Sequence, residues 1–417
     1  MKLYNAFIDR LNEELIPALG CTEPIAIALA SAKAAEVMGG KINKVCIKVS
    51  GNILKNVKSV KVPNTNGMKG VDSACVVGLL GGDSKLGLEV LENLNEEDIQ
   101  KAKELLKTDF CTVEYLETND PLHIIVEAYG LDTVTVELKG GHTNIIKVTK
   151  NNEVLFSKDD IKKNEEVKLD CKLKDVYDFA NTVKMEDIAP LMRQAIKNNS
   201  AIAKEGLNNE WGQSVGRTLL KAYGDDVNIK ARALAAAGSD ARMSGCSMPV
   251  TINSGSGNQG ITITMPVVVF AEELKVTEEK KIRALVLANL VAIYIKKDMG
   301  PLSAFCGTVT ASCGAGAGIA YLQDMSYEQI CMTIKNTLGN VSGLVCDGAK
   351  ASCAAKISSS IDACLLAVNM AKDNLCFPGG DGIICEDIED TIKGIANIGR
   401  NAMHQTDEAI LDIMLQN

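Results

Sequence analysis

The chain has 417 residues, of which 46% are hydrophobic, 23% charged and only 4% aromatic. At about 100 to 200 residues per domain this suffices for two or three domains, with cores built from Ala, Val, Ile, Leu and Met. Lys and Arg number 44 against 53 Asp and Glu, a formal net charge of −9 without any basic block, which argues against nucleic acid as a partner.

The N-terminus mixes acids with apolar residues from Asp9 onward and lacks the apolar run and small-residue cleavage site of a secretory signal, so a cytoplasmic protein is expected. Apolar residues spaced three or four apart predict a helix from Tyr4 to Leu19, closed by Gly20. A second helix is predicted over Ile25 to Met38, with Thr22 in the cap region, Pro24 in the first turn and Gly39-Gly40 as the stop. Cys21 falls in the tight junction between them. Residues 1–42 are therefore read as N-terminal helices that pack on the catalytic domain and carry Cys21.

Residues 43–171 change character. Lys44 to Val49 alternates, and Cys111 to Tyr115, His123 to Ala128, Thr133 to Leu138 and Asn144 to Val148 read as short strands separated by turn residues. Helical patterns at Val71 to Leu80 and Glu96 to Leu106 are interleaved, which predicts a small α+β domain with an antiparallel meander. Lys162 to Lys172 is polar and highly charged and is read as a linker. Residues 172–417 are mostly helical, with Ala-rich segments at Ala231 to Ala237, Lys280 to Ile295, Leu302 to Cys313, Tyr327 to Leu338, Ala354 to Met370 and Glu389 to Met403, broken by glycine clusters. The predicted fold class is α+β: a mainly helical catalytic domain and a smaller α+β domain containing an antiparallel sheet. The strongest apolar stretch, Ala284 to Ile295, holds 12 residues, whereas a bilayer needs roughly 17 to 25, so no membrane span is expected.

Fourteen cysteines lie in the chain, nine of them in the last 172 residues, and none forms a Cys-x-x-Cys pair. Without an export signal they are not a disulfide framework, and the missing pair weakens a zinc finger, a thioredoxin-type site and a ferredoxin-type cluster together. Most are expected to be small buried hydrophobes. Cys306 follows Gly300-Pro301-Leu302-Ser303 and lies early in a helix, Cys313 sits seven residues on along the same face, Cys346 precedes the Asp347-Gly348 turn, and Cys353 follows shortly after. Thiolates in glycine-rich turns can point at a metal cluster.

Gly255-Ser-Gly257-Asn-Gln-Gly260 matches the dinucleotide fingerprint, yet the following Ile261-Thr-Ile-Thr-Met-Pro266 is β-branched and broken by proline, and no βαβ unit precedes it. A ligand-free turn remains open, as does a second reading in which Ser254, Asn258, Gln259 and backbone donors cradle a small carboxylate. The polar loops Ser50 to Asn56 and Pro63 to Gly70 offer Asn52, Lys55 and Lys69, lysines that would either pair with a substrate carboxylate or stay solvated. Cys21, at the positive end of the Pro24 helix, is expected to ionise easily, with Glu23 as a rival base and simple packing as the plain alternative. His123, His142 and His404 are the only histidines, and only His142, beside Gly140-Gly141, is placed to approach the site.

Ser303-Ala-Phe-Cys306-Gly with Gly314-Ala-Gly-Ala-Gly-Ile, then Gly343-Leu-Val-Cys-Asp-Gly-Ala-Lys-Ala-Ser-Cys353, resembles the L-cysteine desulfidase family, relatives of the α region of iron-sulfur L-serine dehydratases. Ala18-Leu-Gly-Cys-Thr-Glu-Pro24 and Asn253 to Gly260 extend the resemblance over nearly the whole chain. It implies a 4Fe-4S cluster held by Cys306, Cys346 and Cys353, with Cys313 the rival for the first position and the fourth iron open to substrate. It also implies a non-redox β-elimination of L-cysteine to pyruvate, ammonia and hydrogen sulfide, with Cys21 removing the Cα proton and Asn52 and Ser254 to Gln259 orienting the substrate. The dehydratases have a longer segment between the second and third cysteines and a C-terminal cysteine, whereas the last 32 residues here contain none. The same fold acting on L-serine and a non-catalytic cluster sensor are the competing expectations, and a homodimer is the expected assembly.

Overall fold

The computed structural model describes residues 2–158 and 171–416. The predicted linker at 162–172 therefore lies almost wholly outside the described residues.

The first predicted helix ends early. Lys2–Glu14 is helical, but Pro17 has no N–H for a continuing helix, and Pro17–Leu19 is instead a short strand paired antiparallel with Pro249–Thr251. Helix Thr22–Met38 follows, with Cys21 in extended conformation as its N-cap and Gly39 closing it at φ 65°. These two helices go to different places. Tyr4 and Phe7 of the first set their rings on Phe179 in the helical half, whereas the second is buried against the sheet.

That sheet has six strands in the order Cys111–Tyr115, Lys44–Val49, His123–Tyr129, Thr133–Lys139, Ile145–Lys150 and Glu153–Ser157. His123–Tyr129, Thr133–Lys139 and Ile145–Lys150 form the predicted antiparallel meander, which Glu153–Ser157 extends, but Lys44–Val49 and Cys111–Tyr115 run parallel. The long crossover through helices Gly51–Val57, Val71–Gly81 and Glu96–Leu105 makes that parallel pair possible. Glu153–Ser157, an exposed edge strand not predicted from the sequence, is reached through Asn151 and Asn152 at φ 51° and 67°, the left-handed pair a tight hairpin needs. Alternation decides the faces: Val45, Ile47, Ile124, Val126, Val134, Val136 and Leu138 are buried, while His123–Glu137 and Lys48–Glu127 pair on the other side.

In the helical half, Gly307–Leu322 is central, surrounded by Gly257–Glu273, Glu278–Lys296, Tyr327–Val341 and Cys353–Lys372. A Cβ at Gly314 would stand 2.2 Å from the Ala288 carbonyl oxygen, so only glycine allows this helix pair to approach so closely. Helix Gly257–Glu273 corrects an expectation. The segment read as β-branched and proline-broken is helical, because every residue from Gly257 to Ala271 is buried and tertiary packing overrides propensity. The strand before it pairs antiparallel, so the fingerprint still lacks its βαβ unit.

Among the described residues one helix, Cys353–Lys372, is long and apolar enough to cross a membrane, and it packs instead on Val227–Met243, Gly307–Leu322 and Tyr327–Val341.

Candidate active site

Cys306, Cys346 and Cys353 are brought together by main-chain geometry. Phe305 and Val345 form an antiparallel bridge, the Cys306 N–H donates to the Leu344 carbonyl at 3.0 Å, and the Cys346 N–H donates to that of Ala304 at 2.6 Å. This fixes the first two thiols on adjacent extended segments. Cys306 is the N-cap of Gly307–Leu322, and Cys353 opens the helix that follows the Asp347-Gly348 turn. Burial pushes the Cys306 thiol up to about 12, with Cys346 and, more weakly, Cys353 adding to the rise against hydrogen bonds to Thr308. Cys353 is raised too, by burial first and then by Cys346, while Lys356 and Arg242 pull it down. Cys313 is fully buried on the core side of its helix, where the neighbouring thiol is Cys364. The seven-residue spacing therefore separates Cys313 from the other three.

Cys21 meets this group at Cys353. It shares a small apolar cluster with Val60 and Met243, against which Ala349 and Cys353 pack. Its thiol donates to Glu23 Oε2 at 2.9 Å. The ease of ionisation expected from the helix end is reversed: burial raises the thiol well above its ordinary value and the Glu23 charge adds to that, outweighing Arg242. Glu23 behaves oppositely. Burial alone would raise it, but His142, the Cys21 donor, its own N–H and Arg242 hold it below the usual carboxylate range. Its other neighbours are Thr22 Oγ1 at 3.1 Å, whose single proton is shared between Glu23 and the Gly255 carbonyl at 2.8 Å, and Asn56 Nδ2, which donates at 2.9 Å.

The remaining predicted residues divide. Asn52 and Asn56 lie one turn apart on helix Gly51–Val57, which the sequence presented as a polar loop, and Asn52 Nδ2 is buried without a partner. Lys55, on the same helix, has its side chain 1% exposed, is committed to an ion pair with Asp407 and donates to the Cys346 carbonyl at 3.2 Å. Asp407 also accepts the Ala304 N–H at 2.8 Å, so this pair clamps both cysteine-bearing strands rather than facing a substrate. Lys69 is exposed on a turn bridged to Lys61 and is not brought to the site. Ser254, at φ 48°, bonds Asn253, and its carbonyl accepts from Lys296 Nζ at 2.9 Å. Asn258 is buried with Oδ1 unpaired, and Gln259 packs under Gly307, beside Cys306.

Sequence reasoning missed Arg242, Asn56 and Lys296. Nothing in their local pattern marks them, because Arg242 sits in an Ala-rich helix and Lys296 ends an apolar one. His142 approaches from the sheet half, its Cε1 2.9 Å from where a Cβ on Gly255 would stand. Burial keeps the imidazole below its ordinary value although Glu23 pulls the other way, so at neutral pH the fixed cation facing Glu23 is Arg242. A cavity of about 740 Å³ runs up to this centre, with His142, Ser254, Gly255 and Lys296 in its wall.

The donor set suits an iron-sulfur cluster. The Cys346 sulfur adds to the rise of both the Cys306 and the Cys353 thiols, and Lys356, Arg242 and Lys296 lie within electrostatic reach. Binding to a cation relieves such repulsion and takes up the deprotonated form. Among the described residues no three metal-binding side chains converge on one point as a single ion requires. A cubane assigns each cysteine its own iron, so its ligands stand apart.

The serine dehydratase alpha chain family model matches residues 85–412, which suggests a lyase-type enzyme. The chain belongs to that family, which is related to the α region of iron-sulfur serine dehydratases. It is 50% identical to a UPF0597 protein of Lachnoclostridium phytofermentans over 417 residues, covering 99% of this chain and 100% of that protein. UPF0597 proteins of Treponema denticola and Desulfitobacterium hafniense are 45% and 46% identical, each over 99% of this chain and over 98% and 97% of their own length.

Proposed function

We propose that this protein is an L-cysteine desulfidase that converts L-cysteine and water to pyruvate, ammonia and hydrogen sulfide. The observation that carries the reading is the meeting of Cys306, Cys346 and Cys353 on one side with the Cys21–Glu23 pair on the other. Cys306, Cys346 and Cys353 would hold a 4Fe-4S cluster, which when bound supplies a Lewis-acidic iron that stabilises departing sulfide without net redox change.

The chain's own residues supply the proton chemistry. Glu23 accepts the Cys21 proton along their hydrogen bond, and the Cys21 thiolate then takes the Cα proton of the substrate. Burial, which keeps the resting thiol protonated, also keeps the base unhydrated when it forms. Thr22 and Asn56 hold the Glu23 carboxylate in place while Asn52 and Asn258 present unpaired polar atoms to the substrate. Loss of the Cα proton and of sulfide from Cβ leaves aminoacrylate, which tautomerises to an imine that water hydrolyses. We place the reaction in the cytoplasm, where reducing conditions keep the fourteen cysteines out of disulfides.

The family description favours a second reading, L-serine to pyruvate and ammonia on the same residues. Anaerobically purified protein supplied with each amino acid separates them. Iron near four per chain with sulfide from L-cysteine supports the desulfidase, and pyruvate from L-serine alone moves the reading to the dehydratase. Absence of iron and product after reconstitution would sink both.

A further inference from the structure

Arg242 is a buried cation at this centre that faces the charge of Glu23 but forms no ion pair of its own. It is 2% exposed, its Nε has no hydrogen-bond partner, and no carboxylate among the described residues forms an ion pair with it. Glu23, whose charge it feels, spends its oxygens on Cys21, Thr22 and Asn56. A buried guanidinium without an ion pair of its own is incompletely compensated for its desolvation.

Its surroundings raise that cost. The guanidinium lies on Gly257, where a Cβ would stand 2.4 Å from Nε. Gly257 is the first residue of the 17-residue helix Gly257–Glu273, whose N-cap Ser256 provides no side-chain cap. An arginine and the positive end of a helix thus face each other, an arrangement that favours an anion beside them. Two buried acceptors are without partners, Asn258 Oδ1 on the first turn of that helix and Asn56 Oδ1 on the side chain that donates to Glu23. One anion receptor next to two amine acceptors has the charge pattern of a free α-amino acid.

We propose that Arg242, together with the uncapped helix end at Gly257, anchors the substrate α-carboxylate and so restricts the site to free amino acids. This rests on the amino-acid lyase reading above, and the test keeps the two apart by using a ligand that cannot react. Anaerobic iron-loaded protein is titrated calorimetrically with L-alanine and with L-alaninamide, which keeps the amine but lacks the carboxylate. Wild type should prefer L-alanine by at least about 30-fold, the scale of losing one partner of a buried charged pair. R242Q should lose that preference with iron content unchanged. R242K should keep part of it, since an ammonium is a point charge without the guanidinium fork. G257A, which displaces the guanidinium without removing its charge, should weaken L-alanine binding about tenfold and serves should R242Q not fold.

Equal binding of the two ligands by wild type overturns the assignment, as does a preference that survives in R242Q. Loss of iron from R242Q and R242K alike overturns it as well, and gives the cation to the thiolate centre instead. Sulfide release is read separately: intact L-alanine selectivity without sulfide from L-cysteine removes the desulfidase reading and leaves Arg242 as assigned.

Discussion

The two halves of the centre are held by different means. The thiols are positioned by main chain, through the Phe305–Val345 bridge, the Cys306 and Cys346 N–H bonds and two helix starts. Cys21, Glu23, Asn56 and His142 are positioned by side chains that meet across the boundary between the sheet and the helical half. Main-chain placement is indifferent to which side chain is carried, so a cysteine there can be replaced without losing the scaffold. A side-chain network is mutually dependent, because each member also sets the protonation of the next.

The sharpest way to break this contrast is at the thiols. Cys346→Ser and Cys353→Ser are expected to abolish the broad visible absorption after anaerobic reconstitution and at least about 1,000-fold of turnover, with far-UV circular dichroism unchanged. Cys313→Ala is the control: it should keep iron and activity and cost only about 1 kcal/mol from its small cavity, read from urea unfolding. Full iron in the first two variants would remove those residues from the site.

On the other half, Glu23→Gln and Cys21→Ser should keep the absorption and lose about 100-fold to 10,000-fold in kcat, the range of a positioned acid or base. Wild-type rates in both would leave the proton chemistry unassigned to this pair. The junction between the halves is tested by Lys55→Met. Stranding Asp407 should cost about 3 kcal/mol and loosen both cysteine strands, seen as lower unfolding midpoints and slower cluster reconstitution.

The smallest effect is pH dependence. Below its ordinary value near 6.5 an unfolded His142 takes up a proton that the buried imidazole refuses, so stability falls as pH drops through that range. Glu23, held low in the fold, contributes stability that is present above the ordinary carboxylate value and is lost as pH falls through its lowered one. Urea midpoints measured from about pH 8 to about pH 3 should fall in two stages, and His142→Gln should remove the first.

Much of this was legible from residues alone. The Lys44–Val49 and Cys111–Tyr115 strands, the glycine stop of the Thr22–Met38 helix and the Cys-Asp-Gly-Ala-Lys segment announce themselves by alternation, turn chemistry or spacing. Two misreadings share a cause. Ile261 to Pro266 looks helix-breaking, and Gly51–Val57 loop-like, because local propensity carries no record of burial on every side or of packing against the Cys346 turn. Cys21 shows the same gap in electrostatics, since a helix end lowers a thiol pKa but burial beside Glu23 raises it further.

The order of residues by itself determined the α+β class, the periodicity of most elements and the thiol-rich segments, since those depend on neighbours a few positions away. Only the tertiary structure decided that Cys306 rather than Cys313 stands with Cys346 and Cys353, that Lys55 serves Asp407, and that Arg242 reaches the centre unpaired. The reason is physical: a charge or thiol acquires its role from groups far away in sequence, and local spacing carries none of that information.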